Sequence, residues 1–469
     1  MMKIFKKIIF FFALTLLVWG CESRVEDIEP EDNLSTDAVF SNFVNLEAAV
    51  IGVYDGLQDG DLIGTPDFIA DFTSDNVDFV GSFTTLQDIR DFDADATNGT
   101  IDNIWFDVFD VTRDANNIIV NLENINADDV QGAPANFDAL AIQFIAEARF
   151  CRALAYLVGV NNFAQPFQVD NGNTLGMPIV TEFFEGDVEP FQQPRSTVNE
   201  THAFIEADLL FAMNNLPASN GIRASSTAAR GLLSRLYLYR EQWAAAANMA
   251  NDVVNTTGFS LASDFSFYNN TSSEHLFQVI NQPDDPAIGS DFDTFYNPTS
   301  NNGRGDLPIA QDLIDAFEAE PTDLRFTVLT FSDVDAGNNP GLFTNKYPNG
   351  ATNESDPNVI RMGEIHLNRA EANLRGGTTI GATPLEDVNA IRARAGLPAL
   401  GSVTLDDILL ERRKELAFEG ARRMDLLRNN QNLKPGGGAV TAPGANFVIL
   451  PIPDDELNGN PNAQQNPGY

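Results

Sequence analysis

Apolar residues recur at intervals of three and four along much of this chain. In residues 45–57, Leu46, Ala49, Val50, Val53 and Leu57 fall on one helical face. Residues 102–122 repeat the spacing with Ile104, Trp105, Val108, Val111 and Ile118, and residues 139–160 with Leu140, Phe144, Ala148, Cys151, Ala155 and Leu157. A helical pair is predicted over 228–254, broken near Glu241, with Leu233, Ser234, Tyr237, Ala246, Ala250 and Val253 at tetratricopeptide-like spacing. Tyr237 is expected to fill the gap between the two helices. Residues 361–393 have the same outline, with Gly376-Gly377 as the break, and residues 404–428 read as one further long helix.

Between these segments the pattern fails. Residues 161–194 are dense in Gly, Pro and Asn and read as loop. Residues 258–357 are rich in Asn, Asp, Gly, Pro and aromatics, with short strands expected at 278–280 and 327–331. Long irregular segments in a compact protein commonly carry function. The fold class is therefore mainly α: helical hairpins packed against an irregular, loop-rich region with a few short strands. The repeats are too degenerate for a regular solenoid.

The first residues change the picture. Lys3, Lys6 and Lys7 precede an apolar run from Ile8 to Trp19, followed by Gly20-Cys21. The run is short for a membrane span and reads as a secretory signal over residues 1–20. A small residue before a cysteine suits lipoprotein processing, so Cys21 is the expected lipidation site. Each buried methylene of its acyl chains adds about 0.8 kcal/mol of anchoring. The acidic, polar stretch after it reads as a solvated tether, assigned to residues 21–40. The remainder divides into an N-terminal helical region, 41–225, and a C-terminal region, 226–469.

Composition then narrows the function. The 469 residues are 43% hydrophobic with a formal net charge of −39. Charge of that sign opposes nucleic acid and anionic lipid surfaces, and disfavours a strongly anionic polysaccharide. With Cys21 lipidated, Cys151 has no partner for a disulfide and reads as a small core residue. His202, His275 and His366 stand apart from any second His or Cys at ligand spacing, which argues against zinc. No cofactor is called for.

The C-terminal quarter is the most specific part. It contains Arg361-Met-Gly-Glu-Ile-His-Leu-Asn-Arg-Ala-Glu-Ala372, Ile391-Arg-Ala-Arg-Ala-Gly-Leu-Pro398, Glu411-Arg-Arg-Lys-Glu-Leu-Ala-Phe-Glu-Gly-Ala-Arg-Arg-Met-Asp-Leu-Leu-Arg428, Leu450-Pro-Ile-Pro453 and Gln465-Asn-Pro-Gly-Tyr469. Together with Leu46-Glu-Ala-Ala-Val-Ile-Gly-Val-Tyr54 these resemble the SusD/RagB family of surface nutrient-binding lipoproteins. The resemblance implies an α-rich, non-catalytic protein on the outer face of the outer membrane. It also implies a SusC-like TonB-dependent transporter as partner and an oligosaccharide, or in the RagB branch a peptide, as cargo. Physically, Glu411, Glu415, Phe418, Arg422 and Asp425 form one helical face suited to ion pairs with neighbouring helices, and Asn466–Tyr469 is expected to tuck back onto the body.

A sugar site needs an exposed aromatic platform beside polar side chains. Trp105 and Trp243 sit in helical patterns and read as packing residues, so the platform falls to Tyr and Phe in two loop clusters. The first offers Asp75, Asn76, Phe79 and Phe83. The second offers Phe295, Tyr296, Asn302, Arg304 and Tyr347, of which Tyr296 and Arg304 stand out because turn residues surround them. Asp91, Asp93, Asp95 and Asp102 have calcium-loop spacing but lack the turn glycine and the terminal Glu, and read as a solvated acidic loop. Two other readings remain at this stage. A surface glycoside hydrolase needs two opposed carboxylates, which so acidic a chain always offers, but no nucleophile elbow, zincin helix or phosphate loop appears. A helical protein-interaction scaffold is the other.

Overall fold

The computed structural model describes residues 34–183, 188–282, 292–333, 341–434 and 438–469. Cys21, the signal segment and most of the tether lie outside the described residues. At the end of the stretch assigned to the tether, α1 (Thr36–Phe40) is capped by Ser35 and already buries Phe40. The following elements are α2 (Phe43–Asp55), α3 (Thr65–Phe72), α4 (Thr84–Arg90), α5 (Gly99–Leu122) and α6 (Phe137–Phe163). Asn42 and Asn98 cap α2 and α5 by accepting two backbone N–H groups each. A small antiparallel pair, β1 (Leu175–Pro178) and β2 (Arg195–Thr197), leads into α7 (Val198–Asn215), which the periodicity did not reveal.

The predicted hairpins follow. In the first, α8 (Ser226–Tyr239) and α9 (Trp243–Val254) are separated at Glu241, which takes a left-handed backbone (φ 57°). Tyr237 is buried, and its hydroxyl donates to Glu206 on α7 at 2.8 Å. The loop-rich region holds β3 (His275–Gln278), α10 (Phe292–Tyr296), α11 (Gln311–Glu318), α12 (Leu324–Val328), β4 (Thr330–Asp333), β5 (Gly341–Thr344) and β6 (Asn358–Arg361). β3 pairs antiparallel with β6 and β4 with β5. The second hairpin is α13 (Met362–Gly376) and α14 (Pro384–Arg394). Gly377 (φ 63°) ends α13 in the left-handed conformation that favours glycine, and Thr378 N–H reaches back to the Asn373 carbonyl at 2.9 Å. One continuous core runs from Phe40 to Ile452, built by α5, α6, α7, α8, α9 and α13 packing in succession.

The long helix expected over 404–428 is broken. α15 (Leu405–Glu415) stops, and α16 (Arg422–Arg428) starts after Phe418 (φ 67°) and Gly420 (φ 70°). The cause is tertiary. Lys346 donates to the carbonyls of Glu415 and Ala417 at 3.0 and 2.8 Å, Arg361 to that of Glu415, and the Tyr347 hydroxyl to that of Phe418 at 2.7 Å. Carbonyls that a helix would use are taken by side chains. At Gly420 a Cβ would lie 1.9 Å from Asp67 Oδ1. Gly420→Ala is expected to lower stability by about 1–3 kcal/mol through left-handed strain and this clash. A urea midpoint unchanged from wild type would refute that.

Because of this break Glu411 and Glu415 on α15 and Asp425 on α16 do not share the single helical face expected, but all three are buried in a lattice of ion pairs. Glu415 meets Arg361 at 2.6 Å and Arg394 at 2.5 Å; Glu411 meets Arg392 at 2.8 Å and Arg325 at 3.1 Å; Asp425 meets Arg428 at 2.6 Å. The chain end also folds back. Asn466 donates to the Phe163 and Leu450 carbonyls, and the Tyr469 hydroxyl to that of Ile449. After Asp454 the short α17 (Asp454–Gly459) precedes this return.

Candidate functional site

The two loop clusters meet. Residues 76–80, after α3, run antiparallel to residues 306–310, before α11. Val77 bridges Ile309, the Asp78 N–H donates to the Pro308 carbonyl, and the Val80 N–H to that of Asp306, both at 2.9 Å. Gly81 is required for this close approach: a Cβ there would lie 2.6 Å from the Asp306 carboxyl carbon. The pairing brings Phe83 and Arg304 together although they are far apart in sequence.

Phe83 is 44% exposed. The Arg304 guanidinium lies 4.3 Å from its ring centroid, a cation–π contact, and is fixed by Asp306 Oδ2 at 2.6 Å. Asn302 is exposed in a left-handed turn (φ 59°) just before it. This edge offers a partly exposed aromatic ring with a guanidinium against one face. Val80, also exposed, borders it.

The remaining predicted residues lie underneath rather than on the surface. Tyr296 is 0% exposed and donates its hydroxyl to Asp71 at 2.6 Å. Turn residues do surround it, but α10 forms there and turns it inward. Tyr347 is buried against the Phe418 carbonyl. Phe295 stacks on Phe68 at 4.5 Å, and Phe79 packs on Phe72 at 5.3 Å. Asp75 is held by Arg422 at 2.6 Å and Arg413 at 3.3 Å, which lowers its pKa despite burial. Asn76 is fully buried, donating to Asp71 and accepting from Arg413. The expectation that these six side chains are exposed is thus corrected. Each has a partner in the body, and of the six Phe295 packs against Phe83 at 6.0 Å and lies 5.7 Å from the Arg304 guanidinium. Asp306 was missed, though an Asp two residues after Arg304 on extended chain falls on the same side.

The acidic-loop candidates are not gathered. Asp91 pairs with Arg90 at 2.6 Å, Asp95 accepts from the Thr97 N–H and hydroxyl, and Asp102 is half-buried in α5. No shared cation position links them among the described residues, which removes that calcium site.

Two buried acids lie beneath the site on α3. Burial, with Asp71 second, pushes Asp67 up to about 7; burial pushes Asp71 up to about 6 against hydrogen bonds from Tyr296 and Asn76. A carboxyl whose folded pKa is raised stabilises the fold below its unfolded pKa, and that contribution is lost as pH rises through the folded value. Asp67→Asn is therefore expected to leave stability near pH 4 unchanged and to raise it at pH 8 by on the order of 1–3 kcal/mol. Parallel pH profiles for variant and wild type would contradict this.

A second aromatic surface lies elsewhere. Trp105, Phe106 and Phe109 on α5, with Pro178, Val180 and Phe191, line a cleft of about 380 Å³ rimmed by Asp110, Arg113, Asp455 and Glu456. Trp105 itself is a packing residue, edge-on to Phe163 at 4.9 Å, whereas Phe106 is 62% exposed.

The body is α-rich, built of helical hairpins, and carries a half-exposed aromatic–arginine edge on irregular loops. The chain belongs to the SusD/RagB family. A family model described as "SusD family" matches residues 332–469, and one described as "Starch-binding associating with outer membrane" matches residues 27–238. A SusD-like protein P2 of Formosa agariphila is 27% identical over 98% of this chain and 99% of its own length. The crystal structure of a SusD superfamily protein from Bacteroides thetaiotaomicron superposes with a TM-score of 0.80 at 25% identity, covering 91% of this chain and 100% of that one. A laminarin-binding SusD-like protein superposes at 0.73, also at 25% identity, covering 92% and 100%. This is a family of glycan-binding proteins. Among the described residues no helix is long and apolar enough to cross a membrane.

Proposed function

We propose that this protein is a non-catalytic, lipid-anchored lipoprotein of the cell surface that captures oligosaccharides and passes them to a SusC-like TonB-dependent transporter in the outer membrane. Cys21 is the anchor, residues after it are the tether, and regions 41–225 and 226–469 form the capturing body. The observation that carries the reading is the partly exposed Phe83 ring held against Arg304. A pyranose stacks its apolar face on such a ring while its hydroxyls meet the neighbouring donors. The cargo is a neutral glycan. Arg304 is already neutralised by Asp306, and the chain's charge of −39 repels polyanions. The laminarin-binding SusD-like protein makes laminarin oligosaccharides the first to test.

The purified protein is titrated with a panel of neutral oligosaccharides and of peptides, and the sugars are then sized by chromatography. The expected result is binding in the micromolar range, about 8 kcal/mol, by sugars alone, with chain lengths unchanged. Peptide binding that displaces sugar supports the RagB-like reading instead, and shortened products support a hydrolase.

A further inference from the structure

The turn between α2 and α3 places Asp59 and Asp61 against Asp107 of α5, and one carboxylate oxygen from each lies within 4.8 Å of the others. Oxygens about 2.4 Å from a shared calcium ion stand at most about 4.8 Å apart, so the three fit one coordination sphere. Asp107 is only 8% exposed, and its Oδ2 has no hydrogen-bond donor. Among the described residues no Lys or Arg pairs with any of the three, unlike Glu371, Glu411, Glu415 and Asp425, which all meet arginines. A buried carboxylate without a donor or counter-ion calls for a cation.

The surroundings orient the group. Asp61 accepts from the Thr65 hydroxyl at 2.8 Å and from Asn103 at 2.9 Å, and Asp59 accepts from the Asp61 N–H at 3.1 Å. Such bonds hold ligand carboxylates in place and leave lone pairs free. Asp59 is exposed, so water can complete the sphere. We infer that Asp59, Asp61 and Asp107 bind a calcium ion that clamps the α2–α3 turn to α5. The donors are all hard oxygens with no His or Cys, which suits calcium or magnesium rather than zinc; only calcium tolerates so flexible a geometry. The clamp bears on α3, which carries Phe68, Phe72 and Asp71 beneath the Phe83 edge.

The test is calcium titration of the intact protein by calorimetry and thermal unfolding, with EGTA and magnesium arms. A dissociation constant of about 10⁻⁴–10⁻³ M is expected, as for extracellular calcium modules. At tenfold excess the melting temperature rises by about 1–2 °C for a chain of this size. Asp107→Asn removes a buried charge, so in EGTA it melts no lower than wild type and gains nothing from calcium. The chain has 67 acidic residues, so weak calcium heat alone does not count in favour; its loss in Asp107→Asn and Asp61→Asn does. No calcium response in wild type at about 10 mM overturns the proposal. A full response in Asp107→Asn also overturns it, and an equal response to magnesium overturns the assignment to calcium. Sugar affinity is not the readout, so the outcome is independent of the glycan reading.

Discussion

Replacing Arg361 with alanine is expected to destabilise the protein by about 3–5 kcal/mol, the largest effect of any single substitution considered. Arg361 is 1% exposed and binds Glu274 at 3.1 Å, Glu415 at 2.6 Å and Glu419 at 2.7 Å. It also donates to the Glu415 carbonyl at the end of α15. Alanine there leaves three carboxylates in the interior with less compensation, and desolvation then dominates. The lattice is not a large net source of stability, because bringing its charges out of water already costs several kcal/mol per ion. Breaking it asymmetrically is what destabilises. Urea unfolding measures the change. A loss below about 1 kcal/mol, typical of an exposed pair, would show that water reaches this interior.

The same lattice fixes the acid response. Against the opposing effect of burial, Arg394 and Arg361 hold the Glu415 carboxyl far below the usual range, Arg361 and Lys346 lower Glu419, and Arg412 and Arg428 lower Asp425 to about 2. Folded values below the unfolded ones mean that the stabilisation is fully present above about pH 4.5 and is lost as pH falls through the folded values.

The second large effect is on binding. Phe83→Ala is expected to weaken oligosaccharide affinity at least about tenfold, about 1.4 kcal/mol, by removing the exposed face against which a sugar ring buries its apolar side. Arg304→Ala is expected to act similarly, since it removes both the donor and the group that steadies Phe83. The two residues touch, so their losses do not add. Because Phe83 is 44% exposed, its replacement leaves stability within about 1 kcal/mol. Phe106→Ala, on the separate cleft of α5, is the control and leaves affinity unchanged. Calorimetric titration of the three variants settles the comparison.

The helices were legible where one face is continuously apolar. The faces of α2, α5 and α6 show the three-four spacing directly, and the break at Gly376-Gly377 marks a turn that only a left-handed residue allows. The break between α15 and α16 was not legible. Its cause is Lys346 and Arg361 capturing carbonyls across the fold, and Phe418, a bulky residue, takes the left-handed backbone two residues before Gly420 does. The site was half legible for a related reason. Local composition distinguishes turn from helix but not outside from inside, so Tyr296 and Tyr347 read like Phe83. What separates them is a hydroxyl that finds a buried acceptor, Asp71 or the Phe418 carbonyl, on a distant segment. Likewise the contact of Phe83 with Arg304 follows from the ladder between residues 76–80 and 306–310, which no local pattern encodes.

The most direct measurement is a crystal structure of the protein with a bound neutral oligosaccharide. The account requires a sugar ring about 4 Å from the Phe83 face, with its hydroxyls hydrogen-bonded to Arg304 or Asn302. An oligosaccharide seated in the Trp105–Phe106 cleft, with the Phe83 edge bare, would contradict it.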